Sequence, residues 1–309
     1  VGQIARSVAG ALNLNVDFAE TLALAHDLGH TPFGHSGQET LHELMLHHGG
    51  FEHNRQSLRI VSELEVRYPS FNGLNLTRST LKGVMKRGEI YDCDTDLKKV
   101  CEERSRENPS LEAALVDLCD RIAYNHHDLE DGLDSGFLDM EMLTGLSVWN
   151  EAYRRVKDDY GGKFEETRLP VRIRTVIRAM MNGCITDLIQ ATKDNIKSVG
   201  IETLDDLLSL DPARFPARFS EDMNDILIQM QHFLKIRLYR HPLVMRMSRR
   251  GSRIIGFLFH EYIENPEILP SHVQQRVARH GIHRVVSDYI SGMTDRYALE
   301  QYTYLSGGK

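Results

Sequence analysis

Long apolar runs are absent: no stretch approaches the roughly 18 consecutive apolar residues that cross a bilayer as a helix. Cysteine is scarce. Cys93, Cys101, Cys119 and Cys184 are the only four in 309 residues, and none has metal-finger spacing. That argues against a disulfide scaffold or thiolate zinc module and favours reduced thiols in a cytoplasmic protein. Sustained alternation of apolar and polar residues is missing, so strands are minor at most. Positive charge is not in excess either. Lys and Arg number 37 against 44 Asp and Glu, a net charge of −7. This opposes bulk nucleic-acid binding and leaves room only for local basic patches. What is present, 41% apolar and 26% charged residues, is ordinary globular composition. The length suits one large domain or two smaller ones.

Helical periodicity dominates. Val1, Ile4, Ala5 and Val8 follow i, i+3, i+4, i+7 spacing. The sequence therefore opens inside a helix and without Met, and the expectation is that an N-terminal piece precedes it. Asp17 is placed to cap a helix through Phe18, Leu22 and Ala25, and another runs through Leu41, Leu44 and Met45. Further helices are predicted at Ser57–Tyr68, Thr80–Lys86 and Ser110–Leu133, and then at Val171–Val199, Glu221–Tyr239 and Leu243–Glu264. Two more follow at Ser271–Arg279 and His283–Tyr304. The charged run from Asp92 to Glu107 reads as a solvated, mobile connection. The predicted class is all-α.

One segment stands out: His26-Asp27-Leu28-Gly29-His30-Thr31-Pro32-Phe33-Gly34-His35. Seven of the fifteen histidines fall between positions 26 and 53. Imidazole beside carboxylate suits a divalent metal with nitrogen and oxygen ligands, and spare imidazoles suit proton transfer. A lone His-Asp pair at a helix end is an ordinary C-terminal feature. One followed by Gly-His, Pro-Phe-Gly-His and then Phe51-Glu52-His53-Asn54 is not. His42, His47 and His48 read as surface residues.

A second pattern lies on the predicted Ser110–Leu133 helix. Asp120, Tyr124 and Asp128, spaced i, i+4, i+8, line one face, while Leu115, Ile122 and Leu129 mark an apolar stripe. An acidic row alone reads as a solvated face. Beside the histidine cluster it reads as a metal at one end with a polar ligand, such as a sugar, along the row.

At these residues the chain resembles the HD superfamily of metal phosphohydrolases and, within it, the deoxynucleoside triphosphate triphosphohydrolases. The similarity covers Val1–Val8, Ala25–Gly37, Gly50–Ile60, Gly73–Thr77, Asp120–Asn125, Asp128–Gly132, Tyr239–Pro242 and Asp288–Asp295. It implies one all-α domain over 1–309. An HD helical core at about 1–134 would carry the metal site, with additional C-terminal helices at about 135–309. His26, Asp27 and Asp120 are then metal ligands, and a further His ligand is expected about four residues ahead of Val1. Tyr124, Asp128 and Tyr239 would hold the deoxyribose, with Arg240 beside them as a phosphate-binding candidate. His35, His53 and His30 would serve proton transfer and phosphate contact. The resemblance usually places an acid three residues after this His35 to pair with it; here that residue is Gln38, with Glu39 following.

The implied reaction is hydrolysis of dGTP or another dNTP to deoxynucleoside and inorganic triphosphate, with Mn²⁺, Mg²⁺, Fe²⁺ or Co²⁺ as cofactor. Lys82, Lys86 and Arg87, or Arg246, Arg249, Arg250 and Arg253, are cations available to a triphosphate. The last four equally fit a solvated face or subunit contact. A homo-oligomer and a nucleotide effector are expected partners, nucleic acid a weaker one, and a membrane none. Two alternatives remain: an HD phosphohydrolase acting on another nucleotide, and a weakly active dNTP-binding regulator, which Gln38 keeps open.

Overall fold

The computed structural model describes residues 1–85 and 95–307, so Lys86, Arg87 and Cys93 lie outside the described residues. Among those described, the protein is all-α, as the periodicity predicts. There is no sheet, only an isolated bridge between Val66 and Gly73.

The first helices are α1 (Gly2–Ala11), α2 (Val16–Ala25) and α3 (Gly34–Leu44). Next, α4 (His53–Arg59) starts where the Glu52 carboxylate accepts from the N–H groups of Asn54 and Arg55, and it ends in a π turn, Ile60–Leu64. This cap starts the helix four residues before the Ser57 start that periodicity alone gives. Thr77 caps α5 (Arg78–Val84), and α6 (Thr95–Arg106) follows. The expected mobile connection is therefore largely helical. Val100 and Cys101 are buried, and Glu103 pairs with Arg78 and Lys82 of α5.

Ser110 caps α7 (Leu111–Asp134), the helix carrying the acidic row. After it come α8 (Met140–Leu143), α9 (Ser147–Tyr160), α10 (Gly162–Glu166), α11 (Leu169–Val199) and α12 (Leu204–Ser209). Ser220 caps α13 (Glu221–Leu234), which continues as a second π turn, Lys235–Tyr239. The remaining helices are α14 (Pro242–Glu264), α15 (Ser271–Gln274), α16 (Val277–His280), α17 (Ile282–Ser291) and α18 (Asp295–Leu305).

The chain divides into two compact units, each made of two stretches: Val1–Ala23 with Glu107–Val244, and Leu24–Arg106 with Met245–Lys309. In the first, α7 packs against α1, α11 and α13, and α9 packs along α11. Leu129, Trp149, Val176, Met180, Met230 and Leu234 form its core. Ile122 and Leu129 are wholly buried, so the predicted apolar stripe of α7 is the buried one.

In the second unit, Leu41, Phe51, Ile255, Leu258, Tyr262 and Val286 are among the core residues. A buried ion pair crosses this unit. The Arg59 guanidinium on α4 donates to the Asp288 carboxylate of α17 at 2.7 Å, and Gln56 is a second donor to it at 3.2 Å. Both charged side chains are under 10% exposed. A charge left without its partner there keeps its desolvation cost. Asp288→Ala should therefore lower stability by about 3–5 kcal/mol, read as a fall in the urea midpoint. The Arg59→Met/Asp288→Leu double variant should lose much less.

Candidate functional site

In the second unit the histidine block begins where α2 ends. The His30 N–H closes a turn onto the Asp27 carbonyl at 3.1 Å. Ser57 of α4 fastens this turn: its hydroxyl accepts from the Gly29 N–H at 2.9 Å and donates to the His26 carbonyl at 3.3 Å. Gly29 is required by the close approach. A Cβ there would lie 2.0 Å from the His53 carbonyl oxygen and 2.4 Å from the Ser57 nitrogen. Farther on, Phe33 adopts a left-handed backbone (φ 63°), and its N–H is held by the Asp295 carboxylate at 2.9 Å. Gly251 leaves room for it, since a Cβ at that position would stand 2.6 Å from the Phe33 Cβ.

His26 is largely buried, and its Nε2 lies 3.1 Å from Asp27 Oδ2. His30 Nδ1 lies 3.3 Å from the other oxygen of the same carboxylate. Burial works against charge on Asp27, but the hydrogen bonds from His26 and His30 outweigh it and hold the carboxyl well below the usual carboxylate range. The hydrogen bond to Asp27 raises the His30 pKa in return, against desolvation. Two ligands at right angles, each roughly 2.1 Å from one cation, stand about 3 Å apart. The His26–Asp27 separation fits this, so the pair is able to coordinate a divalent metal.

The other two histidine candidates differ in setting. His53 stacks on His30 with ring centroids 4.3 Å apart. Its Nδ1 is 2.7 Å from Gln38 Oε1 and 3.2 Å from Glu52 Oε1. Both are acceptors, so Nδ1 carries the proton and Nε2 is the basic nitrogen. His35 is exposed on the first turn of α3, its ring 6.5 Å from that of His30. The expectation that the residue at position 38 pairs with His35 is corrected: Gln38 faces His53. Sequence reasoning noticed the segment Gly50–Ile60 but gave no role to Glu52, which caps α4, or to Ser57, whose partners Gly29 and His26 lie well upstream.

In the first unit, α7 presents Asp120 and Asp128 half-buried and Tyr124 39% exposed. The Tyr239 phenol donates to the Asp128 carboxylate, and the Tyr124 and Tyr239 rings stand 6.2 Å apart. The π turn that ends at Tyr239 follows α13, which packs on α7. Burial raises the pKa of Asp128 although the Tyr239 hydrogen bond opposes it. Burial and the contact with Asp128 push the Tyr239 phenol far up, and burial raises Tyr124 as well. The three predicted sugar-side residues thus form one group. Arg240, the phosphate-binding candidate, is exposed just beyond the π turn.

The family model described as HD domain matches residues 1–125, and the phosphohydrolase-associated domain matches residues 217–304. The deoxyguanosinetriphosphate triphosphohydrolase-like protein of Leptospira interrogans is 44% identical over 306 residues, 99% of this chain and 78% of its own. That of Geobacter sulfurreducens is 43% identical over 305 residues, covering 99% and 77%. That of Ralstonia nicotianae is 42% identical over 304 residues, covering 98% and 76%. Homology and the His/Asp pair together support metal-dependent hydrolysis of a nucleotide. On this identity and coverage the chain belongs to the deoxyguanosinetriphosphate triphosphohydrolase-like family of HD-domain proteins.

Proposed function

We propose that the protein hydrolyses a deoxynucleoside triphosphate to the deoxynucleoside and inorganic triphosphate. The observation that carries this reading is the Tyr124–Asp128–Tyr239 group, two phenols around one carboxylate on the helix that also bears Asp120. Such a group suits the edge of a sugar: the carboxylate accepts from a 3′-hydroxyl, and a tyrosine ring against C2′ leaves no space for a further hydroxyl. A site built to pair with a substrate hydroxyl discriminates strongly against an analogue that lacks it, here a 3′-deoxy nucleotide.

His26, Asp27 and Asp120 are the proposed metal ligands, one imidazole nitrogen and two carboxylate oxygens, a donor set for Mn²⁺, Mg²⁺, Fe²⁺ or Co²⁺. A cation held there supplies Lewis-acid activation of water and offsets phosphate charge. The reaction breaks the bond between the α-phosphorus and the 5′-oxygen, and that departing oxygen needs a proton. His35, exposed at the head of α3, is the proposed donor. His53 works from Nε2, because Gln38 and Glu52 engage its Nδ1–H. From there it can take up a proton or hydrogen-bond a phosphate oxygen, with His30 stacked behind it. Arg240 is the proposed cation for the phosphate chain.

Asp128→Ala tests the sugar role. Losing a hydrogen bond to a charged group corresponds to roughly 10- to 100-fold in kcat/KM for dNTP, while Mn²⁺ binding followed by electron paramagnetic resonance should be unchanged. Equal loss of both would contradict the assignment. Asp27→Ala should instead abolish Mn²⁺ binding and turnover together. Gln38→Ala should lower kcat about tenfold, the equivalent of one hydrogen bond, with KM little changed. Gln38→Glu, which keeps an acceptor facing His53, should retain activity. A Gln38→Ala enzyme with normal kcat would show that His53 does not depend on this contact.

A further inference from the structure

A cavity of about 340 Å³ lies within the second unit. The π turn that ends α4 lines it, together with α15, α17 and the first turn of α18. None of the candidate metal ligands, nor His30, His35, His53, Tyr124 or Tyr239, belongs to its wall. Leu28 does, and it directly follows Asp27 in the chain. The cavity is therefore a second concavity, separate from the histidine site but bordering the turn that carries it.

Much of the wall is apolar: Leu28, Ile60, Leu64, Val273, Val285 and Met293. Ile60 and Leu64 are the two ends of the π turn, a distortion often found at functional sites. The charged groups are unevenly matched. Asp288 is already taken up by Arg59 at 2.7 Å, and Glu65 has Arg67 3.8 Å away. The half-buried Arg276 guanidinium makes one hydrogen bond, to the Leu64 carbonyl at 3.1 Å. Among the described residues it has no carboxylate partner. A guanidinium carries five N–H donors in a planar fork, so most of those on Arg276 are left for an acceptor. His272 stands exposed four residues before it, and Tyr289 and Tyr297, hydroxyls 3.1 Å apart, complete the polar part of the wall.

We propose that this cavity binds a small apolar monocarboxylate, its carboxylate on Arg276 and its hydrocarbon or aryl body against the apolar wall. A carboxylate matches the guanidinium fork through paired N–H donors. The volume lies at the small end of ligand sites, which combine an apolar lining with a few polar groups that fix orientation. Met293 and the two tyrosines favour an aryl body, since thioethers and aromatic rings attract one another. Inorganic phosphate would leave the apolar wall bare. A nucleoside triphosphate would bring several negative charges to a wall with one arginine and two carboxylates.

The test is calorimetric titration of the whole protein in EDTA with 4-phenylbutyrate, and with 4-phenylbutan-1-ol as the uncharged match. In EDTA the result does not depend on metal binding or on turnover. The acid should bind roughly 10- to 100-fold more tightly than the alcohol, the worth of a hydrogen bond to a charged group. Arg276→Met should remove that preference and leave alcohol binding unchanged, while Arg276→Lys should recover part of it. The acid–alcohol comparison uses the unaltered protein, so it decides the matter even where a variant folds poorly. In methyl nuclear magnetic resonance spectra the acid should shift Ile60, Leu64, Val273 and Met293. Equal affinity for acid and alcohol would overturn the proposal, as would unshifted methyls at these four residues under saturating acid. Displacement of the acid by dATP with the same methyls affected would also overturn it and assign the cavity to nucleotides.

Discussion

The close approach of Gly29 to the first turn of α4 is the constraint on which the histidine site depends. Two hydrogen bonds through the Ser57 hydroxyl hold the turn in place, one to the Gly29 N–H and one to the His26 carbonyl. No residue with a Cβ fits against the His53 carbonyl there. Because the turn and the helix start are pressed together, His30 and His53 stack and the Asp27 carboxylate lies between His26 and His30. The anchoring continues outward: Asp295 secures Phe33, and the Arg59–Asp288 pair ties α4 to α17. The residues that do the proposed chemistry are few, but the residues that set their positions are spread through the unit.

Electrostatics sort the same side chains into roles. Asp27 is held charged by its two imidazole neighbours in spite of burial, as the proposed coordination of a cation would require. Asp128 goes the opposite way, its pKa raised by burial even while Tyr239 donates to it. The two carboxylates are thus shifted in opposite directions by their surroundings. Gln38 adds a neutral partner to His53, so the imidazole is oriented by an amide as well as by Glu52.

Much of this was legible in the sequence, for local reasons. A period of 3.6 residues places Asp120, Tyr124 and Asp128 on one face of α7, and the buried Ile122 and Leu129 confirm the opposing stripe. The density of histidine before and after Gly29 marked the His26–Asp27 pair, which is able to coordinate a divalent metal. What could not be read depended on partners distant in sequence or on unusual backbone. Tyr239 reaches Asp128 at the end of a π turn, a grouping that the family resemblance implied but no simple periodicity reveals. The charge of the α6 segment concealed its packing through Val100 and Cys101. In α9, Trp149, Ala152 and Val156 are spaced as a helix requires, but charged neighbours dilute the signal. Gln38 lies three residues after His35, yet tertiary contact sets it against His53 instead.

The most direct measurement is the identity of the products when the full protein turns over a dNTP in ¹⁸O-water with Mn²⁺ or Mg²⁺. Attack at the α-phosphorus predicts inorganic triphosphate carrying the label and a deoxynucleoside without it, in equal amounts, resolved by ³¹P nuclear magnetic resonance and mass spectrometry. Labelled orthophosphate or pyrophosphate as the inorganic product, or label in the nucleoside 5′-hydroxyl, would contradict the account.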